Sequence, residues 1–188
     1  MRLVESREQI KGNDSEKKGI PKSFYGSNSY KLKAASAEWS RCLIGKTIPN
    51  LDFITIKGKS YSNSDLRGKV LVINFWFKGC APCVAEMPSL NRLYNEFKDE
   101  NVLFISFASD NEQALKPTYL NSGKFLFEIV PNSKSIASKF KFFGYPTTYI
   151  VDQKGRIIKA WTGFSPLMGQ PYDKAKPIIT QLLSNSSR

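Results

Sequence analysis

Cys80 and Cys83 carry the clearest capacity for chemistry in this chain. Two cysteines three positions apart can close a disulfide, and a thiolate at one of them can attack a disulfide elsewhere. Their surroundings say which one attacks. Val70 to Phe77 is a nearly unbroken run of β-branched and aromatic residues, the pattern of a strand covered on both faces. Beyond the pair, Val84, Met87, Leu90, Leu93, Tyr94 and Phe97 recur at helical spacing. The cysteines therefore fall at a helix N-terminus, where unpaired N–H groups and the positive end of the dipole favour thiolate over thiol. Lys78 is expected to push the same way. Cys80 reads as the attacking thiol facing solvent, and Cys83 as the resolving thiol tucked toward the helix. Pro82 suits the first helical turn, where its missing N–H costs nothing.

Two plainer readings of the pair stand beside this one. Half of a zinc site would need partners, yet the chain has three cysteines and no histidine; carboxylates or a second chain would have to complete it. A purely structural disulfide would close a loop too short to constrain much of the unfolded chain.

Phe75-Trp76, the Cys80-Ala-Pro-Cys83 motif and Glu86-Met87-Pro88 resemble the active-site segment of the TlpA/ResA-like thiol-disulfide oxidoreductases, a branch of the thioredoxin superfamily related to the redoxin and AhpC/TSA proteins. Most members carry tryptophan just before the first cysteine, and this chain has Gly79, which opens the surface beside Cys80. Asn74 stands where thioredoxin has a buried aspartate. The resemblance implies that Glu86 tunes the cysteine pKa and moves protons; from the residues alone it could equally be a carboxylate on the helix surface. Gly144-Tyr-Pro146-Thr147 precedes a strand-like run through Val151. Proline cannot donate to a sheet ladder, so Pro146 must sit at the strand's start or in a turn. The resemblance implies that Pro146 is cis and faces the cysteine pair. It also implies that Tyr145 presents backbone to an extended substrate segment and selects partners through its side chain. The implied site is Cys80, Cys83 and Glu86 for catalysis, with Gly79, Pro82, Tyr145 and Pro146 against substrate. No metal or cofactor is implied beyond the redox-active disulfide.

The rest of the chain supplies the frame. Its length and 41% hydrophobic content suffice for one core, so one domain with an added arm is the natural division: a polar extension over 1–40 and a domain over 41–188. The extension shows no sustained period, and Phe24, Tyr25, Tyr30 and Trp39 are its candidate docking residues. Cys42, at the junction, is expected to be buried or free. Gly45 to Ile56 alternates as a strand, Lys57-Gly58 turns, and Lys59 to Ser62 returns. After the active-site helix, kinked or interrupted at Pro88, Val102 to Phe107 is a second buried strand. A helix over 110–121 is bent or ended by Pro117. Phe125 to Val130 has strand character and is read as an insertion, and Ser135 to Phe140 as a short helix. Asp152 to Gly155 is a hairpin turn, Arg156 to Trp161 its antiparallel return, and Pro171 to Leu183 a terminal helix ahead of a fraying serine-rich end. Strands alternating with helices imply a parallel α/β core with right-handed crossovers. The resemblance makes this a thioredoxin-like fold: a central mixed sheet flanked by helices, with an N-terminal hairpin.

The net charge of +12 is spread along the chain, with eight basic and five acidic residues in the first 40. It reads as a solvated basic face, with an acidic partner or an anionic membrane surface as the alternatives, and no nucleic-acid motif is present. No apolar run reaches about 18 residues, the length of a membrane span. The first residues lack the apolar centre of a signal peptide. The chain is thus either cytoplasmic or has lost an export signal, and the resemblance favours a periplasmic or envelope location.

The leading functional reading is exchange of the Cys80–Cys83 dithiol with disulfides of protein substrates, with a separate thiol donor restoring the pair. The resemblance suggests reduction, with cytochrome c maturation as one pathway. Thiol peroxidase is a second reading, although no Pro-x-x-x-Thr-x-x-Cys segment precedes Cys80 or Cys42. A copper(I) chaperone using the two thiolates is a third.

Overall fold

The structure, a computed structural model, describes residues 27–141, 143–164 and 169–186. The chain divides into two compact units, 1–34 and 35–188, and the second holds the sheet. The expected division after residue 40 falls inside a helix, α1 (Ser27–Leu43). Its lysines, alanines and Glu38 favour helix without drawing a strong apolar stripe, so no period announces it. Phe24 and Tyr25, expected to dock, lie outside the described residues, as does the Tyr30 side chain. Trp39 does dock. Its ring meets Phe143 at 5.8 Å and Tyr149 at 6.0 Å between centroids, and its Nε1 donates to the Lys141 carbonyl. Ser40 Oγ donates to the Ala160 carbonyl at 2.6 Å. Cys42 is free and exposed on the same helix.

Five strands make one mixed sheet in the order β5-β4-β3-β6-β7: β3 (Val70–Trp76), β4 (Val102–Ala108), β5 (Glu128–Val130), β6 (Thr147–Val151) and β7 (Ile157–Thr162). β3, β4 and β5 run parallel, and β6 and β7 complete the sheet antiparallel. The side-chain period of two explains why β3 reads as a continuous apolar run. Val70, Val72 and Trp76 enter the core under α3 (Ala81–Phe97) and α6 (Pro171–Ser186), while Leu71, Ile73 and Phe75 enter the core on the opposite face. Every residue of β3 is buried. Phe75 there packs on Phe107, Phe140 and Tyr149 with centroids 4.9–5.9 Å apart. α4 (Glu112–Tyr119) and α5 (Lys134–Lys139) fill the two connections around β5.

The expected strand from Gly45 to Ile56 is split. Its first part lies along β7, with Gly45 N–H bonding the Ile157 carbonyl and Ile48 N–H the Gly155 carbonyl, both under 3.0 Å. Pro49 cannot donate, so the ladder stops there. The chain then crosses over to form the hairpin of β1 (Phe53–Ile54) and β2 (Ser60–Tyr61), followed by the single-turn α2 (Asn63–Leu66). From the hairpin, Ile56 N–H reaches the Ile129 carbonyl of β5 at 2.7 Å. Gly58 and Gly155 take the left-handed conformation that their turns demand, at φ 79° each. Pro88 does not interrupt α3: it lies on the exposed side, where loss of one backbone bond leaves the buried face intact. α6 continues to Ser186, past the expected fraying point.

The docking of α1 generates the first prediction. Trp39→Ala removes two ring contacts and one hydrogen bond from a half-buried site, a loss of about 1–2 kcal/mol. The urea midpoint should fall with an unchanged m-value; an unmoved midpoint would show that the Trp39 contacts add nothing to the domain's stability.

Candidate active site

The site is assembled where β3 ends. Cys80 is the N-cap of α3, in extended conformation, and its Sγ accepts the Cys83 N–H at 3.3 Å. The two cysteines are joined in a disulfide, with Cα atoms 5.2 Å apart. Pro82 occupies the first helical turn, as its geometry favours. The expected solvent-facing Cys80 needs correcting for this oxidised state: Cys80 is 5% exposed and Cys83 1%. The sulfur that would meet solvent as a thiol is turned over the helix start and bonded to its partner. When that bond opens, the same Cys83 N–H is in place to stabilise a Cys80 thiolate. Lys78 is tied to the neighbouring connection: its ammonium donates to the Ala114 carbonyl of α4 at 3.0 Å and its backbone N–H to Asp110 at 2.7 Å.

Gly79 is exposed and its φ is ordinary; a Cβ there would touch only the Phe77 ring, at 3.6 Å. The surface beside Cys80 is therefore backbone. The Tyr145–Pro146 peptide bond is cis, and it lies just ahead of Thr147, which pairs with Phe75 near the end of β3. The Pro146 carbonyl accepts from Gly163 N–H at 2.8 Å and from Thr162 Oγ1 at 3.1 Å, which fixes the loop ahead of β6. Tyr145 meets Phe77 edge to face at 5.2 Å, so its ring lies against the segment that leads to Cys80.

Glu86 is not on the helix surface. It stands one turn after Cys83 on the buried side of α3, 1% exposed, directly over the sheet. Its Oε1 accepts from Asn74 Nδ2 at 2.8 Å, and the same amide donates to Thr148 Oγ1 at 3.0 Å. Glu86 Oε2 has no hydrogen-bond partner among the described residues. Burial pushes the carboxyl up to about 8, against the opposing pulls of the Asn74 amide and the Lys174 charge. An acid of that strength can exchange a proton near neutrality, and it stands one turn along α3 from Cys83. Thr148 was not visible as part of the site from sequence, since its place follows from the antiparallel pairing of Asn74 with Thr148 across β3 and β6.

Residues 44–160 match the model of the AhpC/TSA family. The chain belongs to that family. Within the AhpC/TSA proteins it is similar to the thiol-disulfide oxidoreductase ResA of Bacillus thuringiensis (strain Al Hakam), 28% identical over 128 residues that cover 68% of this chain and 74% of that one. It is also similar to the thioredoxin-like protein YneN of Bacillus subtilis (strain 168), 32% identical over 60% of this chain and 68% of that one. Among solved structures, the thioredoxin domain of a thiol-disulfide oxidoreductase from Bacteroides vulgatus superposes with a TM-score of 0.60 at 26% identity, covering 72% of this chain and 97% of that domain. The fold is thioredoxin-like and the protein is a thiol-disulfide oxidoreductase.

The buried carboxyl makes stability depend on pH in a definite direction. Its folded pKa lies above its ordinary value of 4.5, so the folded protein holds a proton that the unfolded chain releases between about pH 4.5 and 8. The stabilising contribution is fully present below about pH 4.5 and is lost as pH rises through 8, on the order of 5 kcal/mol in full. The thermal midpoint of the oxidised protein should therefore fall between pH 5 and 8, and Glu86→Gln should flatten that fall. Parallel melting curves for the two proteins would contradict the buried, protonated carboxyl.

Proposed function

We propose that the Cys80–Cys83 pair reduces disulfides of protein substrates in an extracytoplasmic compartment, with the heme-binding cysteines of c-type cytochromes among its substrates. The observation that carries this reading is the disulfide at the start of α3, with the buried Glu86 carboxyl one turn further along the helix and a cis-proline, Pro146, at the same end of the sheet. The likeness to the TlpA/ResA branch supports both the direction and the location. Among the described residues no helix is long and apolar enough to cross a membrane.

The reaction balances as two exchanges. Cys80 thiolate attacks one sulfur of the substrate disulfide, the substrate bond breaks, and the second substrate sulfur leaves as thiolate and takes a proton from solvent. Cys83 then gives its proton to the Glu86 carboxylate and attacks Cys80 Sγ. The mixed disulfide breaks, the Cys80–Cys83 bond forms, and the substrate's first sulfur leaves with the electron pair. A thiol donor supplies two electrons to reopen the pair. Tyr145 pairs its backbone with an extended substrate segment, and the bare surface at Gly79 admits that segment's bulk.

The first test is the reduction potential, obtained by equilibrating Cys42→Ser protein with dithiol buffers and counting alkylated thiols by mass. A value near about −270 mV fits a reductase, whereas one near about −120 mV would make the protein a disulfide donor. Absence of a reversible two-electron couple would leave copper(I) binding or peroxide chemistry as the readings to pursue. With a disulfide-bonded peptide, Cys83→Ser should accumulate the mixed disulfide at Cys80, and Cys80→Ser should form none.

A further inference from the structure

The approach to Pro146 is pinned at both ends. Downstream, Thr147 Oγ1 donates to the Gly144 carbonyl, and the Pro146 carbonyl takes the bonds from Gly163 and Thr162 already described. Upstream, the Lys141 carbonyl accepts from two donors, Tyr149 OH at 3.2 Å and Trp39 Nε1. Tyr149 belongs to β6, is fully buried, and packs on Phe75 and Phe140. Trp39 comes from α1. Its ring also lies against Phe143, which stays 39% exposed three residues ahead of Pro146.

The helix that brings Trp39 there is itself fastened to the sheet. Ser40 Oγ holds the Ala160 carbonyl of β7, and Leu43, 3% exposed, shares a core cluster with Ile157, Ala160 and Tyr149. Trp39 lies between these anchors and Lys141, so its indole ties the approach to Pro146 to a fixed point. α1 also precedes residues 44–160, the span that matches the AhpC/TSA family, so this brace comes from outside the shared span.

We propose that α1 is part of the substrate site: Trp39 is a positioning residue that holds Lys141 and Phe143, so that the backbone at Tyr145 is set in advance to pair with an extended substrate segment. The proposal rests on the disulfide-reductase reading above. Trp39 touches no reacting atom. Adding a strand to a receiving loop costs the ordering of both partners, and a loop already held in place loses less on binding. The effect falls on binding and not on the exchange between sulfurs, because Cys80 and Cys83 are placed by the junction of β3 and α3.

The test uses full-length protein carrying Cys42→Ser, so that the exposed thiol on α1 takes no part. Reduced protein is mixed with an excess of a disulfide-linked extended peptide, and single turnovers are followed by acid quench, alkylation and mass. Trp39→Ala should raise the half-saturating peptide concentration about three- to tenfold and leave the limiting rate unchanged. Trp39→Phe, which keeps a ring but loses the N–H, should fall between the two. In a Phe143→Ala background, Trp39→Ala should cause a smaller rise, because one of its two grips on the loop is already gone. Hydroxyethyl disulfide, which offers no backbone to pair, should be reduced by Trp39→Ala at the wild-type rate. An unmoved half-saturating concentration overturns the proposal, and so does a loss of equal size with hydroxyethyl disulfide, which would mark a general loss of folded protein; both leave the reductase reading intact. Unsubstituted Trp39 protein that reduces neither disulfide overturns both.

Discussion

β3 has neither a free edge nor a wet face, and that constraint governs the molecule. Its residues must be apolar on both sides, so it divides the interior into two cores and makes every other element choose one of them. Its C-terminal end then fixes where α3 can begin, and with it the N-cap position at which Cys80 meets the Cys83 N–H. The one polar residue of the strand, Asn74, is tolerated because its amide is used twice, on Glu86 and on Thr148. A single central strand thus supplies the rigidity of the site, the position of the thiols and the partner of the buried acid.

Much of this was legible because it rests on local periodicity. The period change at Cys80, the unbroken run of β3, the glycine turns at Gly58 and Gly155 and the terminal helix follow from spacing and turn chemistry that a few neighbouring residues enforce. What stayed hidden depends on tertiary partners. The segment after Gly45 reads as one strand, but its two parts serve different edges of the sheet, and only the position of β7 explains the break at Pro49. Ser27 to Leu43 is helical with little apolar pattern, because it is held by Trp39, Ser40 and Leu43 near its end. In the site, Cys80, Cys83, Pro82 and the cis bond before Pro146 follow from motif and resemblance. The burial of Glu86 and the pairing of Asn74 with Thr148 require the register of β3 against β6, which no short window contains.

The acid behind the disulfide illustrates a compromise between stability and chemistry. A neutral amide at position 86 could occupy the same space without the penalty that a carboxyl incurs as pH approaches 8. Under the proposed exchange the carboxyl has a use there, since it would take the proton of Cys83, which is itself 1% exposed. The surrounding aromatic packing, from Trp76 on Tyr119 and Phe125 to Trp161 under Lys174, keeps that region dry enough for small charge differences to matter.

The crossing of the chain between Gly45 and Ile56 has an effect far from the thiols. One part of it occupies main-chain groups along β7, and the other reaches the Ile129 carbonyl of β5, so a single connecting segment covers both margins of the sheet. Exposed margins are where β-proteins add strands from other copies and begin to aggregate. An open margin would invite any extended chain to pair there. With its own backbone on both sides, the chain occupies the places on β5 and at the start of β7 where a foreign strand could otherwise add.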